Sequence, residues 1–181
     1  MKIESLEDLY LEQLQLLLDA ETQVASVLPE MLEACTSEEL RDALEEQLET
    51  AQEQAARLEK VLARATVQGI AARQTCTGME GLVREARQQI TRAMSSDVRN
   101  AAILAAVRRL EHYEIAAYGT ARTYATLLND TESATLLEQT LEEEKDADRT
   151  LTEVAEQVNA DLLSRGDLPS VVVTEGIEEA V

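Results

Sequence analysis

The chain has 181 residues, of which 45% are hydrophobic and 2% aromatic, and its formal net charge is −20. This length is enough for one domain with a buried core, whereas so acidic a surface argues against nucleic acid and anionic lipid as partners. Since there is neither an apolar run long enough to span a bilayer nor a signal-peptide pattern, we expect a cytoplasmic protein with no membrane segment.

Apolar residues at helical spacing predict two long helices in the first third of the chain. The first is expected from about Ser5 to Cys35, and the second from about Ser37 to Ala65. Thr36 followed by Glu39 has the spacing of a capping box, which predicts where the second helix begins. The turn between the two helices is so short that we expect them to be antiparallel neighbours.

A long connection from about Val67 to Ser96 follows. Within it, Thr77 and Glu80 have the spacing of a second capping box, which predicts a short amphipathic helix across the bundle. The third long helix is expected from Ser96 or Asp97 to about Asn129, and the fourth from Asp130–Thr131 to about Leu163.

The two halves of the chain repeat each other at an offset of 93 residues, which places Glu21 on Glu114. A helix pair used twice and joined by a crossover predicts an all-α, ferritin-like antiparallel four-helix bundle, with a short extra helix in the long crossover. We expect the bundle to comprise residues 1–163 and residues 164–181 to form a C-terminal tail.

Acidic residues interrupt the apolar stripes of three of the long helices. Glu21 interrupts the first, Glu114 the third, and Glu144 with Asp148 the fourth, while Glu111 precedes Glu114 by one turn. A helix buries such a stripe against its neighbours, and a buried carboxylate is costly unless it is paired, protonated or bound to a cation. Acids that converge from three helices therefore indicate either a metal site or a buried polar network satisfied by Arg, Tyr or Gln and water.

Ferritin-like di-iron bundles take one glutamate from each of two helices and a Glu-x-x-His pair from each of the other two. Glu21 and Glu114 match the single positions, and the repeat places the pairs at Ala51 with Gln54 and at Glu144 with Ala147. Oxygen ligands of this kind suit iron or manganese. The predicted metal ligands are Glu21, Gln54, Glu111, Glu114, Glu144 and Asp148.

The single histidine, one tyrosine, the two cysteines and an acidic run are expected to be structural and not to bind metal. His112 lies off the stripe of Glu114 and is expected at the surface or an interface, whereas Tyr118 is expected in the core with a hydrogen bond to a carboxylate. Cys35 and Cys76 are too few for a disulfide scaffold or a zinc cage, so we expect buried side chains. The run Glu142–Glu143 is expected on a solvated face.

Several stretches resemble the YciE/YciF family of ferritin-like bacterial and archaeal stress proteins, in order over about residues 4–160. They are residues 17–23, Met79–Leu82, Leu110–Thr120 and Leu141–Lys145, of which Leu110–Thr120 is the most specific. The resemblance implies a rubrerythrin-like bundle, often dimeric, linked with stress responses and suspected of binding a metal pair. Relatives commonly carry His in place of Gln47 and Thr in place of Ala51.

The leading hypothesis is a dimeric, metal-binding stress protein that reduces oxygen or peroxide when it holds iron, and the sequence predicts no catalytic residue. The alternative is a non-catalytic helical interaction protein that keeps this fold with a degenerate, metal-free site. The scarcity of lysine in so acidic a chain, with only Lys2, Lys60 and Lys145, favours adaptation to high salt over an ordinary acidic bundle.

Overall fold

The computed structural model describes residues 3–65 and 74–164. These residues form five helices: α1 (Leu6–Ala34), α2 (Glu38–Ala65), α3 (Thr77–Thr91), α4 (Ser96–Leu127) and α5 (Thr131–Ser164). The four long helices and the short helix of the crossover are therefore confirmed. The predicted tail lies outside the described residues except for Ser164, which ends α5.

Both predicted capping boxes are wrong, because neighbouring residues cap the helices instead. The N–H and hydroxyl of Thr36 bond to Asn100 of α4, and the Ser37 hydroxyl accepts a bond from the first turn of α2. At α3, Thr77 is already helical, and the Cys76 sulfur accepts the bond from the first turn. The sequence located these helix starts to within a residue but did not identify the capping side chains.

The four long helices form a ring in which α1 and α5 each contact both α2 and α4. Hydrogen bonds join Thr36, just after α1, to Asn100 near the start of α4. Arg64 near the end of α2 pairs with Asp130, just before α5. Neighbours in the ring are therefore antiparallel, and α3 packs on the outside against α1 and α4.

The core of the bundle consists of two apolar clusters with acidic residues between them. In α1, Leu17 belongs to one cluster and Val24 to the other, with Glu21 between them. The same order recurs in α4, where Glu111 and Glu114 separate the two clusters. The fold therefore places these acids at mid-height, buried among apolar side chains. Of the helices in the described ranges, none combines the length and apolarity that a bilayer span requires.

Candidate metal centre

Three buried glutamates converge between the two apolar clusters. Each of Glu111, Glu114 and Glu144 contributes a carboxylate oxygen, and these oxygens lie within 4.8 Å of one another. The three residues are 3%, 2% and 4% exposed. Glu111 and Glu114 are neighbours because residues three apart lie on the same side of a helix, and Glu144 reaches them from α5.

Glu21 of α1 lies beside this group. It is almost fully buried and lines the same cavity as the other three glutamates. Its Oε1 accepts a hydrogen bond from the hydroxyl of Tyr118, which is also fully buried. This confirms that Tyr118 is a core residue bonded to a carboxylate, and it means that the orientation of Glu21 is fixed by α4.

Burial raises the pKa of all four carboxyl groups, and repulsion from neighbouring carboxylates adds to the effect. The pKa of Glu21 rises to about 8 and that of Glu111 to about 7. The pKa values of Glu114 and Glu144 rise well above the ordinary range, again chiefly through burial. Without a cation, the cluster therefore retains protons near neutrality, and these protons must leave when a metal binds.

Two oxygens of the cluster lack a hydrogen-bond partner among the described residues. They are Glu111 Oε2 and Glu114 Oε1. Buried polar atoms are nearly always paired, and leaving one unpaired costs about 1–3 kcal/mol. Because a group of hard carboxylate oxygens is the donor set that iron and manganese prefer, these residues fit such an ion.

The other two predicted ligands have different partners. Asp148 Oδ1 lies 3.0 Å from Arg108 Nε and 3.2 Å from His112 Nε2. The His112 side chain is 60% exposed, which confirms its expected place at the surface. Gln54 lines the cavity, and its Nε2 lies 3.5 Å from Glu143 Oε2. Neither Asp148 nor Gln54 belongs to the converging group of three.

Gln47 belongs to the site although it was not predicted there. Its Nε2 donates to Glu111 Oε1 at 2.7 Å, which orients that carboxylate. Gln47, Ala51 and Gln54 follow one another at spacings of four and three residues and all line the cavity. The repeat predicts ligands at Ala51 and Gln54, and residues at this spacing share one face of a helix. Gln47 could therefore have been identified from its place on the same face of α2.

Glu142 is exposed as expected, whereas the Glu143 side chain is 30% exposed and therefore lies only partly on a solvated face. The Arg57 guanidinium donates to both oxygens of Glu143, at 2.7 and 3.0 Å. Burial alone would raise the pKa of Glu143, but the bonds from Arg57 hold it below the ordinary value. The pair joins α2 to α5 beside the cavity, with Thr140 as a further acceptor for Arg57.

A cavity of about 250 Å³ adjoins the four glutamates and lies between α2 and α5. Its inner wall carries the four acids, its α2 side carries Gln47, Ala51 and Gln54, and its rim includes exposed Glu46 and Asp146. The cavity therefore reaches from the surface to the buried carboxylates.

Cys35 and Cys76 are both free and buried, as expected. The Cys76 sulfur lies 2.9 Å from the hydroxyl of Tyr113. The cysteines thus act as core side chains, and neither belongs to the converging acidic group.

A family model described as a domain of unknown function, DUF892, matches residues 5–163. Protein YciF of Escherichia coli (strain K12) is 37% identical over 155 residues, which cover 86% of this chain and 93% of YciF. The crystal structure of the E. coli stress protein YciF matches with a TM-score of 0.83 at 35% identity, over 87% of this chain and 99% of that one. YcfI from Rhodopseudomonas palustris matches with a TM-score of 0.78 at 34% identity, over 83% and 95% of the two chains. The predicted ferritin-like fold is confirmed.

Proposed function

The chain belongs to the DUF892 family, and we propose that it is a YciF-like stress-response protein that binds metal in its core. One observation carries the proposal: Glu111, Glu114 and Glu144 bring buried carboxylate oxygens within 4.8 Å of one another. Two oxygens of this group are unpaired, which a bound cation would correct. The stress role is supported by the similarity to a protein described as a stress protein.

The four buried glutamates are the proposed metal ligands, and iron or manganese is the proposed ion. Tyr118 and Gln47 hold the carboxylates of Glu21 and Glu111 in place. The apolar clusters above and below keep water away from those two sides of the site, which strengthens charge interactions there. Two Fe(II) ions held by these residues would supply two electrons, one from each iron, for the reduction of oxygen or peroxide. Gln54 and Asp148 are proposed only as outer partners, because Arg108 already binds Asp148 and the neutral amide of Gln54 is a weaker ligand than the four carboxylates.

Metal analysis tests this proposal directly. Protein purified without chelator is incubated anaerobically with Fe(II), desalted and analysed by mass spectrometry for metals. We expect stoichiometric iron in the wild type and its loss in Glu114→Gln, since an amide is a weak ligand that carries no charge. Glu142→Gln is the matched control, because Glu142 is an exposed acid on α5. Substoichiometric iron in the wild type after Fe(II) addition would contradict the proposal.

A second function is a non-catalytic helical interaction protein without metal. It is favoured by Ala51 and Ala147, because the repeat predicts metal ligands at these two positions and alanine has no ligand atom. Thermal unfolding with and without Mn(II) separates the two functions, because a ligand that binds only the folded state raises its stability. Metal binding predicts a rise in Tm that Glu114→Gln abolishes. The alternative predicts a Tm that Mn(II) leaves unchanged in both proteins.

We also propose a homodimer, which the family resemblance supports. Size-exclusion chromatography with light scattering is expected to give twice the mass of the chain, and the mass of one chain would contradict it. A cytoplasmic location and the absence of nucleic-acid partners stay predictions from the composition.

A further inference from the structure

We propose that the cleft between α2 and α5 is the access route by which a divalent cation reaches the buried glutamates, and that the metal site is open toward α2. The inference rests on the proposed function, because it presupposes that the acids bind metal. It adds the side of entry and the residues that keep that side open.

The cavity joins the surface to the unpaired oxygens. Exposed Glu46 of α2 and exposed Asp146 of α5 lie at one end of its lining, and Glu111 and Glu114 lie at the other. The two inner residues are only 3% and 2% exposed, and each has one oxygen without a partner. A divalent cation with six waters needs about 200 Å³, taking about 30 Å³ for each water. The cavity of about 250 Å³ is large enough for that ion.

Small side chains keep the cleft open. Ala51 of α2 and Ala147 of α5 line it on opposite sides, and both occupy repeat positions at which a ferritin-like site has a ligand. Each therefore leaves space where a ligand side chain would stand. The polar groups that α2 adds to the inner lining are the amides of Gln47 and Gln54. A cation held by the glutamates of α1, α4 and α5 would thus face open space on its α2 side.

Packed or paired side chains border the acidic group on several other sides. The two apolar clusters lie above and below it. Tyr118 binds Glu21 between α4 and α1. The ion pair between Arg108 and Asp148 joins α4 to α5 one turn from Glu111 and Glu144. The cleft beside α2 is therefore the approach that the geometry favours.

The rim of the cleft carries charge of the sign that attracts a cation. Glu143 is neutralised by Arg57, and Asp146 pairs with Arg149. Glu46 is exposed and has no ion pair among the described residues. Its negative charge is thus available to raise the local cation concentration, an effect that weakens as salt is added.

The test is the rate of Co(II) binding, followed by its visible absorption in a stopped-flow instrument. Ala147→Leu narrows the cleft and is expected to slow association by about tenfold or more without changing the final stoichiometry. Glu46→Lys reverses the rim charge and is expected to slow association by about threefold to tenfold in low salt. This second effect should disappear in about 1 M salt, where the Debye length is about 3 Å.

Two control variants make the same changes elsewhere. Ala116→Leu adds the same volume to an exposed position of α4, and Glu59→Lys reverses an exposed charge about three and a half turns further along α2. Both are expected to bind Co(II) at the wild-type rate. Circular dichroism checks folding, and Glu46→Lys, a surface change, decides the test if Ala147→Leu does not fold.

The outcomes for route and site are distinguishable. Wild-type rates in Ala147→Leu and Glu46→Lys, together with full stoichiometry, would overturn the access route and leave the metal site standing. Equal slowing in the controls would also overturn the route. A wild-type protein that binds no Co(II), Fe(II) or Mn(II) at equilibrium would overturn the proposed function and the route with it.

Discussion

The four buried glutamates differ in the partner that each carboxylate has. Glu21 accepts the hydroxyl of Tyr118, and Glu111 accepts the amide of Gln47. Glu114 has an oxygen with no partner within the described residues, and its pKa is raised chiefly by burial and then by the other acids. Glu111 and Glu114, the two glutamates with an unpartnered oxygen, both lie on Leu110–Thr120, the stretch most specific to the family resemblance.

Tyr118→Phe tests how much the buried hydroxyl contributes. Its removal leaves Glu21 without the bond that lowers its pKa, so the variant should lose about 1–3 kcal/mol of unfolding free energy. The measurement is urea unfolding of the metal-free protein. Tyr124→Phe is the control, because Tyr124 lies on the same helix but is only half-buried. Equal losses in the two variants would show that the bond to Glu21 is unimportant.

Among the helices, α2 and α5 are joined by the Arg57–Glu143 pair. The guanidinium makes two bonds to the carboxylate, and the side chains are 11% and 30% exposed. Charge-assisted pairs with this geometry are stronger than neutral hydrogen bonds. The pair therefore fixes the distance between the two helices that border the cleft.

Arg57→Gln should lower the free energy of unfolding by about 1–2 kcal/mol, after allowance for the partial exposure of the pair. Chemical denaturation measures the loss. Arg87→Gln provides the comparison, since Arg87 makes a similar pair with Glu30, but both side chains are more than 40% exposed. Its expected loss is below about 1 kcal/mol. A smaller loss of unfolding free energy in Arg57→Gln than in Arg87→Gln would contradict the role of the Arg57–Glu143 pair in holding α2 to α5.

The helices were predictable from the sequence because periodicity and helix-start residues are local signals. The burial of Glu21, Glu114 and Glu144 was also predictable, since each lies on an apolar stripe that its helix packs into the core. Glu111 was predictable from its spacing of three residues from Glu114. The partners were not, because pairing Arg57 with Glu143 requires the register between α2 and α5. Asp148 illustrates the same limit. Its stripe position is right for burial, but Arg108 lies close enough to bind it.

For the entire chain, the buried acids make stability depend on pH. The pKa values of Glu21 and Glu111 are about 8 and about 7, against an ordinary value of 4.5. Between pH 4.5 and these raised pKa values, the folded state therefore binds more protons than the unfolded state. The free energy of unfolding consequently falls as pH rises. We expect the Tm of metal-free protein to fall between about pH 5 and about pH 9. Glu21→Gln with Glu111→Gln should flatten this profile, and a Tm that rises over this range would refute the account of the acids.

The net charge of −20 makes stability depend on salt as well. Self-repulsion among surface carboxylates disfavours the compact state, and added ions screen it. Raising KCl from about 0.1 M to about 2 M is therefore expected to raise the Tm in differential scanning calorimetry. An unchanged or lower Tm would contradict the self-repulsion argument and leave adaptation to high salt without support.

An anomalous-difference map from crystals soaked in Mn(II) tests the metal site most directly. The map is expected to show a peak among the carboxylates of Glu111, Glu114 and Glu144, with Glu21 adjacent, and to lose that peak in Glu114→Gln. Peaks confined to surface carboxylates, with none at the buried glutamates, would contradict the account and leave a helical bundle whose acids only share protons.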